Sequence, residues 1–359
     1  MFETFGFDSL SPQTASLCFG AALGALFGLL AERSRFCLRR GLVGPSDERR
    51  EALALWAVAL ATAVAGTQGA VAAGLIAFED HRLLARDMPV LALVAGGLLF
   101  GAGMVLARGC PARLTVLAGT GNLRAFVALV LFGIVAQATM TGALSSLRTT
   151  LGNWTLPVGD AASLAALPGG AGFAATLLVL AAAVLAVNRG IGLLGVATGV
   201  AIGLLVPVGW VGTGLVLFDE FDPIAHESLA FTAPHAETLF WMIASTSIAP
   251  GFGPGLVMGT LAGAFLAAAH GRRLRLQGFD ASAPTGRYAL GAGMMGVGGV
   301  LAGGCTLGAG LSGIPTLSTA ALLAMSAIVA GAIVTDRALS ASPSGSAAPS
   351  ARHPAQPAR

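Results

Sequence analysis

The chain contains no lysine, a single tyrosine and only four cysteines, and 10% of its 359 residues are charged. A soluble domain of this length would carry about 25% charged residues, so the composition excludes an ordinary soluble enzyme. With lysine missing, a net charge of +3 rests on arginines placed in short hydrophilic breaks. That distribution carries topology information rather than the clustered footprint of a nucleic-acid binder, and no nucleic-acid partner is expected. The cysteines Cys18, Cys37, Cys110 and Cys305 are too few and too widely spaced for a disulfide framework. No Cys-x-x-Cys or paired histidine offers a metal site, so neither metal nor cofactor is expected and any sulfur chemistry would be that of free thiols. The N-terminus lacks a basic n-region, which argues against a cleaved secretory signal. The histidines His81, His226, His235, His270 and His353 fall in polar segments, termini or a span end, and no Asp or Glu interrupts an apolar run. A proton relay or cation path through the membrane core is thereby disfavoured.

What is present is apolar: 55% hydrophobic residues, 51 glycines and a mean hydropathy of +0.81. A crossing helix needs about 20 apolar residues, and glycine is enriched where membrane helices approach closely. The runs predict an all-α integral membrane protein with about nine transmembrane helices, at residues 14–30, 52–78, 88–107, 123–144, 173–187, 191–217, 256–269, 288–302 and 317–334. Gly20, Gly24 and Gly28 recur every fourth residue and give the first span one small-residue face. The arginine clusters at 33–50 and 272–275 mark the cytoplasmic side, and the acidic segment around Asp219, Glu220, Asp222 and Glu227 reads as a solvated external loop. This places the N-terminus outside and the C-terminus inside. The membrane domain covers 1–337, with a first half at 14–146, a linker hairpin at 147–217 and a second half at 237–335. Residues 338–359, rich in Ser, Pro and Ala, are expected as a disordered cytoplasmic tail.

The organising feature is a Gly-Cys break that occurs twice. Gly109-Cys110-Pro111 interrupts one apolar stretch, and Gly304-Cys305-Thr306 interrupts another, each after a glycine-spaced run. Proline is tolerated at a first helical position, so Cys110 is expected at the cap of a short re-entrant half-helix from Pro111 to about 117, buried in protein as broken membrane backbone must be. By the span count the two breaks are entered in opposite directions, giving a pseudo-symmetric inverted repeat. Such repeats place half-helix N-termini near the midplane of transporters, where their positive ends face an anion. Packing would accept Ala or Ser as readily as Cys, so two cysteines at matching breaks point to function. Cys37 lies in a basic turn that would favour a thiolate. Cys18 reads as a packing residue. Arg113, three residues after Cys110, shares its helix face and is a costly charge at membrane depth. The competing function is a membrane thiol oxidoreductase cycling through a disulfide, which would need a second thiol close by.

The segments RSRFC, GCPARL, GLLVPVGWVGTG running toward SLAFTAPHAETL, and GGCTLGAGLSG together resemble the YeeE/YedE family of sulphur transport proteins, over residues 23 to 335. The resemblance implies a non-enzymatic importer in the bacterial inner membrane, carrying thiosulfate or a related sulfur or selenium species along thiols at central constrictions. Carried residue by residue, that role falls on Cys37, Cys110 and Cys305, with Gly109, Gly304, Thr306 and Arg113 beside them. The second basic turn carries Leu274 and Leu276 where a further thiol would stand. No sulfur-carrier domain is fused to the chain, so the cytoplasmic sulfur-carrier or sulfurtransferase partner that the resemblance implies would be a separate protein.

Overall fold

The computed structural model describes residues 11–79, 81–166, 168–187, 191–278 and 282–341. Among them, nine apolar helical stretches are long enough to cross a membrane. Helix α1 (Pro12–Ser34) opens on Ser11, whose hydroxyl accepts the Thr14 N–H at 3.2 Å. Pro12 costs nothing there because the first helical N–H has no intrahelical acceptor. Then follow α2 (Leu38–Val43), α3 (Ser46–Ala72), α4 (Val90–Leu106), the short α5 (Pro111–Gly119), α6 (Leu123–Met140) and α7 (Ser145–Gly152). The second half of the chain forms α8 (Gly170–Val187), α9 (Leu193–Val211), α10 (Thr232–Ile243), α11 (Phe252–His270), α12 (Ser282–Leu301) and α13 (Thr319–Ala341). Two π-helical stretches stand out, Gly212–Val216 extending α9 and Thr306–Gly313 before α13.

The core is a set of close helix pairs. Along α1 and α11 the glycines are reciprocal. A Cβ at Gly20, Gly24 or Gly28 would fall on the carbonyl oxygen of Phe252, Leu256 or Thr260, and one at Gly255, Gly259 or Gly263 on that of Leu17, Ala21 or Ala25. Backbone meets backbone because neither helix carries a side chain at the seam. Helix α4 lies between α12 and α13, and α3 between α8 and α9. On α8, Phe173, Leu177, Leu180, Val184 and Val187 stay exposed as one apolar stripe, the face a lipid bilayer covers.

The polar ends separate cleanly. At one end, strands β1 (Asp87–Met88) and β2 (Leu156–Pro157) pair, the Leu164 N–H donates to Leu317 O at 2.8 Å, and Gln68 donates to Pro315 O at 2.6 Å. At the other, the Gln277 N–H donates to Gly121 O at 3.0 Å, and Arg273 pairs with Glu32 at 2.8 Å.

Several expectations need correction. Helix α3 starts earlier and ends six residues sooner than read, because Gly74 adopts a left-handed conformation (φ +70°) just after it. Glu32, read as outside the first span, is buried in the last turn of α1, where Arg273 neutralises it. The segment from Thr232, read as external loop and short apolar piece, forms α10 with Pro234 in its first turn. Helix α13 continues to Ala341. The remaining tail and the break at 188–190 lie outside the described residues.

Candidate functional site at the helix breaks

Three of the four cysteines begin a helical segment two residues after a left-handed residue. Arg35 (φ 54°) precedes Cys37, Arg108 (φ 57°) precedes Cys110, and Gly303 (φ +70°) precedes Cys305. The first two share one hydrogen-bond pattern: the Phe36 N–H donates to Ala31 O at 3.2 Å and the Gly109 N–H to Met104 O at 3.1 Å. This is the Schellman closure, which satisfies the last carbonyls of the incoming helix and turns the chain sharply. A non-glycine residue in the left-handed region costs roughly 1–2 kcal/mol, so Arg35 and Arg108 are held there by their surroundings. Arg272 (φ 50°) completes the series, with the Arg273 N–H donating to Ala268 O at 2.8 Å. The residue that follows in the thiol position is Leu274, which is exposed.

Cys110 caps α5 as expected, with Pro111 at the first helical position. After Cys305 the chain forms a π-helical stretch instead of a second α-helix like α5, and the Cys305 sulfur accepts the Gly308 N–H at 3.4 Å. Gly308, Gly310 and Gly313 leave that stretch with few side chains to restrain the wider turn, and π-turns recur at functional sites. Cys37, Cys110 and Cys305 are 9%, 4% and 0% exposed. All four cysteines are free thiols.

A void of ≈ 10 Å³ is lined by both Cys37 and Cys110, together with Arg113, Thr306, Phe27 and Phe36. A cavity needs about 10–15 Å³ to hold one water, so the space between the thiols holds one water at most. Phe27 seals it against its neighbours, with ring centroids 5.5 Å from Phe231 and 6.4 Å from Phe36. Arg113 lines the void and its guanidinium donates to Ala31 O at 3.4 Å, tying α5 to the end of α1. Arg108, by contrast, is exposed. Thr306 faces the Cys110 thiol, so the second break reaches the first. Gly109 is buried behind Cys110 against Leu114.

On the other side of Cys305 opens a vestibule of ≈ 600 Å³, whose floor is Gly303, Gly304, Gly308 and Ser312. Its wall holds Trp210, which is 3% exposed and whose indole N–H has no acceptor, and the buried Thr232, whose hydroxyl faces the Cys305 thiol. His226 stacks on Phe78 at 5.2 Å, with Trp210 and His81 edge-on to it. Burial, then Arg82, then His226 hold the His81 imidazole down at about 4, and burial lowers His226 as well.

Sequence reasoning missed much of this wall. Glu227 is not a solvated loop residue; it lines the vestibule beside Glu237. His235 is buried in α10, its Nδ1 bonded to Phe231 O at 2.8 Å and its Nε2 paired with the Thr115 hydroxyl of α5 at 3.0 Å. Pro234 preceding an apolar run was the available signal for a helix start. Cys18 is exposed on an apolar groove with Phe19, Pro207 and Val211, remote from the other thiols.

Residues 33–334 match the family model described as sulphur transport. The chain is 29% identical over 322 residues to the thiosulfate transporter TsuA of Escherichia coli (strain K12), covering 81% of this chain and 86% of that protein. It is 25% identical over 345 residues to the thiosulfate transporter TsuA of Spirochaeta thermophila, covering 85% and 93% respectively. The chain belongs to the sulphur transport family and is a multi-pass protein of the bacterial inner membrane, a transporter rather than an enzyme.

Proposed function

We propose that this member of the sulphur transport family imports thiosulfate or a related sulfur-containing anion, passing it from the vestibule to Cys305, then to Cys110 beside Thr306, and past Cys37 to the arginine-rich face. The observation that carries this reading is the shared void, in which Cys110 meets Cys37 on one side and the residue after Cys305 on the other. A −2 anion in a dry constriction needs compensating positive charge. The N-terminus of α5 and the start of the π-helical stretch after Cys305 present positive dipole ends, and Arg113 adds a full charge. A thiol donor is weak and polarizable, so it suits the soft terminal sulfur of thiosulfate and releases it readily.

In this reading the four left-handed breaks belong to an inverted repeat, with the half-helix α5 and the stretch after Cys305 entering from opposite sides. Leu274 occupies the fourth position, so the relay has three thiols rather than four. The cytoplasmic acceptor would be a separate sulfur-carrier or sulfurtransferase protein docking near Arg33, Arg39 and Arg40.

The test is uptake of radiolabelled thiosulfate into vesicles holding the full chain. Cys110→Ala and Cys305→Ala should each reduce uptake at least tenfold, with Cys18→Ala close to wild type. Normal uptake in the Cys110→Ala, Cys305→Ala double variant would make the cysteines packing residues.

A further inference from the structure

The vestibule of an anion importer holds two carboxyl groups. Glu227 is fixed there by its backbone: its N–H donates to the Thr213 hydroxyl at 3.0 Å, and that hydroxyl donates to its carbonyl oxygen at 2.7 Å. Glu237, on α10, lays its carboxyl against Gly253 in the first turn of α11. Both line the same cavity, and neither forms an ion pair among the described residues.

The same wall presents a donor without an acceptor, the Trp210 indole N–H, more than nine-tenths buried. Buried unpaired donors cost free energy unless a ligand satisfies them, and donors call for an anion. The other charged or titratable groups facing the cavity are Arg82 and Arg148, and the imidazoles His81 and His226. With both carboxyls ionised, the two guanidinium charges are cancelled and a dianion meets a cavity of no net attraction. One proton on the pair leaves the cavity positive.

We propose that the vestibule holds an anion only while the Glu227 and Glu237 carboxyls share a proton, so that uptake is proton-linked. This rests on the import reading above. Burial and the Glu237 charge push the Glu227 carboxyl up to about 8, against the pull of Arg82. The lowered imidazoles are neutral across that range and neither supply nor take the proton. The sign follows: below about pH 8 the pair holds its proton and admits the anion, and above it the second carboxylate repels the anion. By linkage, a bound dianion raises the pair's proton affinity by the same factor.

The experiment combines two measurements on the full chain, thiosulfate uptake into vesicles with equal pH on both sides from about pH 6 to about pH 9, and thiosulfate binding by calorimetry in two buffers of different protonation enthalpy. A single titrating site predicts uptake falling by up to about tenfold per pH unit above its midpoint, with about one proton taken up per anion bound near about pH 9, where the unliganded pair has lost it, and none near about pH 6, where it already holds it. Glu227→Gln and Glu237→Gln should each flatten the profile and abolish the proton uptake. Uptake that is flat with pH, zero proton uptake by the wild type at about pH 9, or glutamine variants that titrate like the wild type would each overturn the proposal while leaving import intact. Absence of thiosulfate uptake at every pH would overturn import and, with it, this inference. The wild-type proton count decides the question even if a glutamine variant fails to fold.

Discussion

Replacing Gly259 by alanine adds one methyl group at the α1–α11 seam, where the outcome can be worked from the backbone. The new Cβ would fall on the Ala21 carbonyl oxygen, with the Ala21 carbonyl carbon and Cα each at 2.8 Å. Carbon atoms sit comfortably at about 3.5–4.0 Å, so the helices must part by about 1 Å at that point. No rotamer change helps, because every obstructing atom is main chain. Overpacking of this kind costs typically about 1–3 kcal/mol, and a value of about 2 kcal/mol is a factor of about 30 in the folded-to-unfolded ratio. Gly69→Ala is the matched opposite. Gly69 is a helical glycine of α3 with nothing within 4 Å of its would-be Cβ, so alanine there should add about 0.5–1 kcal/mol by removing backbone freedom from the unfolded chain. The two variants have the same composition and opposite predicted signs. Unfolding in mixed micelles, followed by tryptophan fluorescence, measures both. A Gly259→Ala protein within about 0.5 kcal/mol of wild type, or a Gly69→Ala protein destabilised as much as it, would refute the argument that the seam is backbone on backbone.

Serine variants separate transport from redox chemistry: Cys110→Ser and Cys305→Ser keep a donor but form no disulfide, so uptake should weaken while persisting and remain indifferent to mild reductant; a strict oxidant requirement would favour the oxidoreductase. Thr115→Val removes the partner of the buried His235 Nε2 and should cost about 1–3 kcal/mol, read by the same micelle unfolding; no loss would show that water substitutes there. Reporter fusions after Arg50, Glu227 and Arg275 should signal inside, outside and inside, and an outside signal at Arg275 would sink the opposed orientation of the two breaks.

The residues of this chain announced some of its features because those features are local. The helix break before Cys110 needs only a residue able to turn the chain and a proline to begin the next helix, and Arg108-Gly109-Cys110-Pro111 supplies both within four positions. The apolar spans were legible for the same reason, since crossing length and hydropathy are properties of one segment. The glycine face of the first span was visible, but not its partner, because Gly20, Gly24 and Gly28 do not say which helix they admit.

Only the tertiary structure decided the rest. Glu227 looked like a solvated acid because an isolated segment rich in polar residues reads as loop; α6, α9 and α12 close around it and turn that loop into a vestibule wall. His235 looked peripheral for want of any sequence mark tying it to Thr115, whose hydroxyl meets it across two short helices. Cys305 begins a π-helical stretch rather than a second copy of α5, since without Pro111's counterpart its glycines yield to the packing of Trp56 and Met325 around Gly310. Sequence determined where the helix before Cys110 gives way to the next, because Pro111 can open a helix but not continue one, a property of its own covalent geometry. Which side chains meet at a break depends on contacts between segments far apart in the chain, and those exist only once the helices have packed.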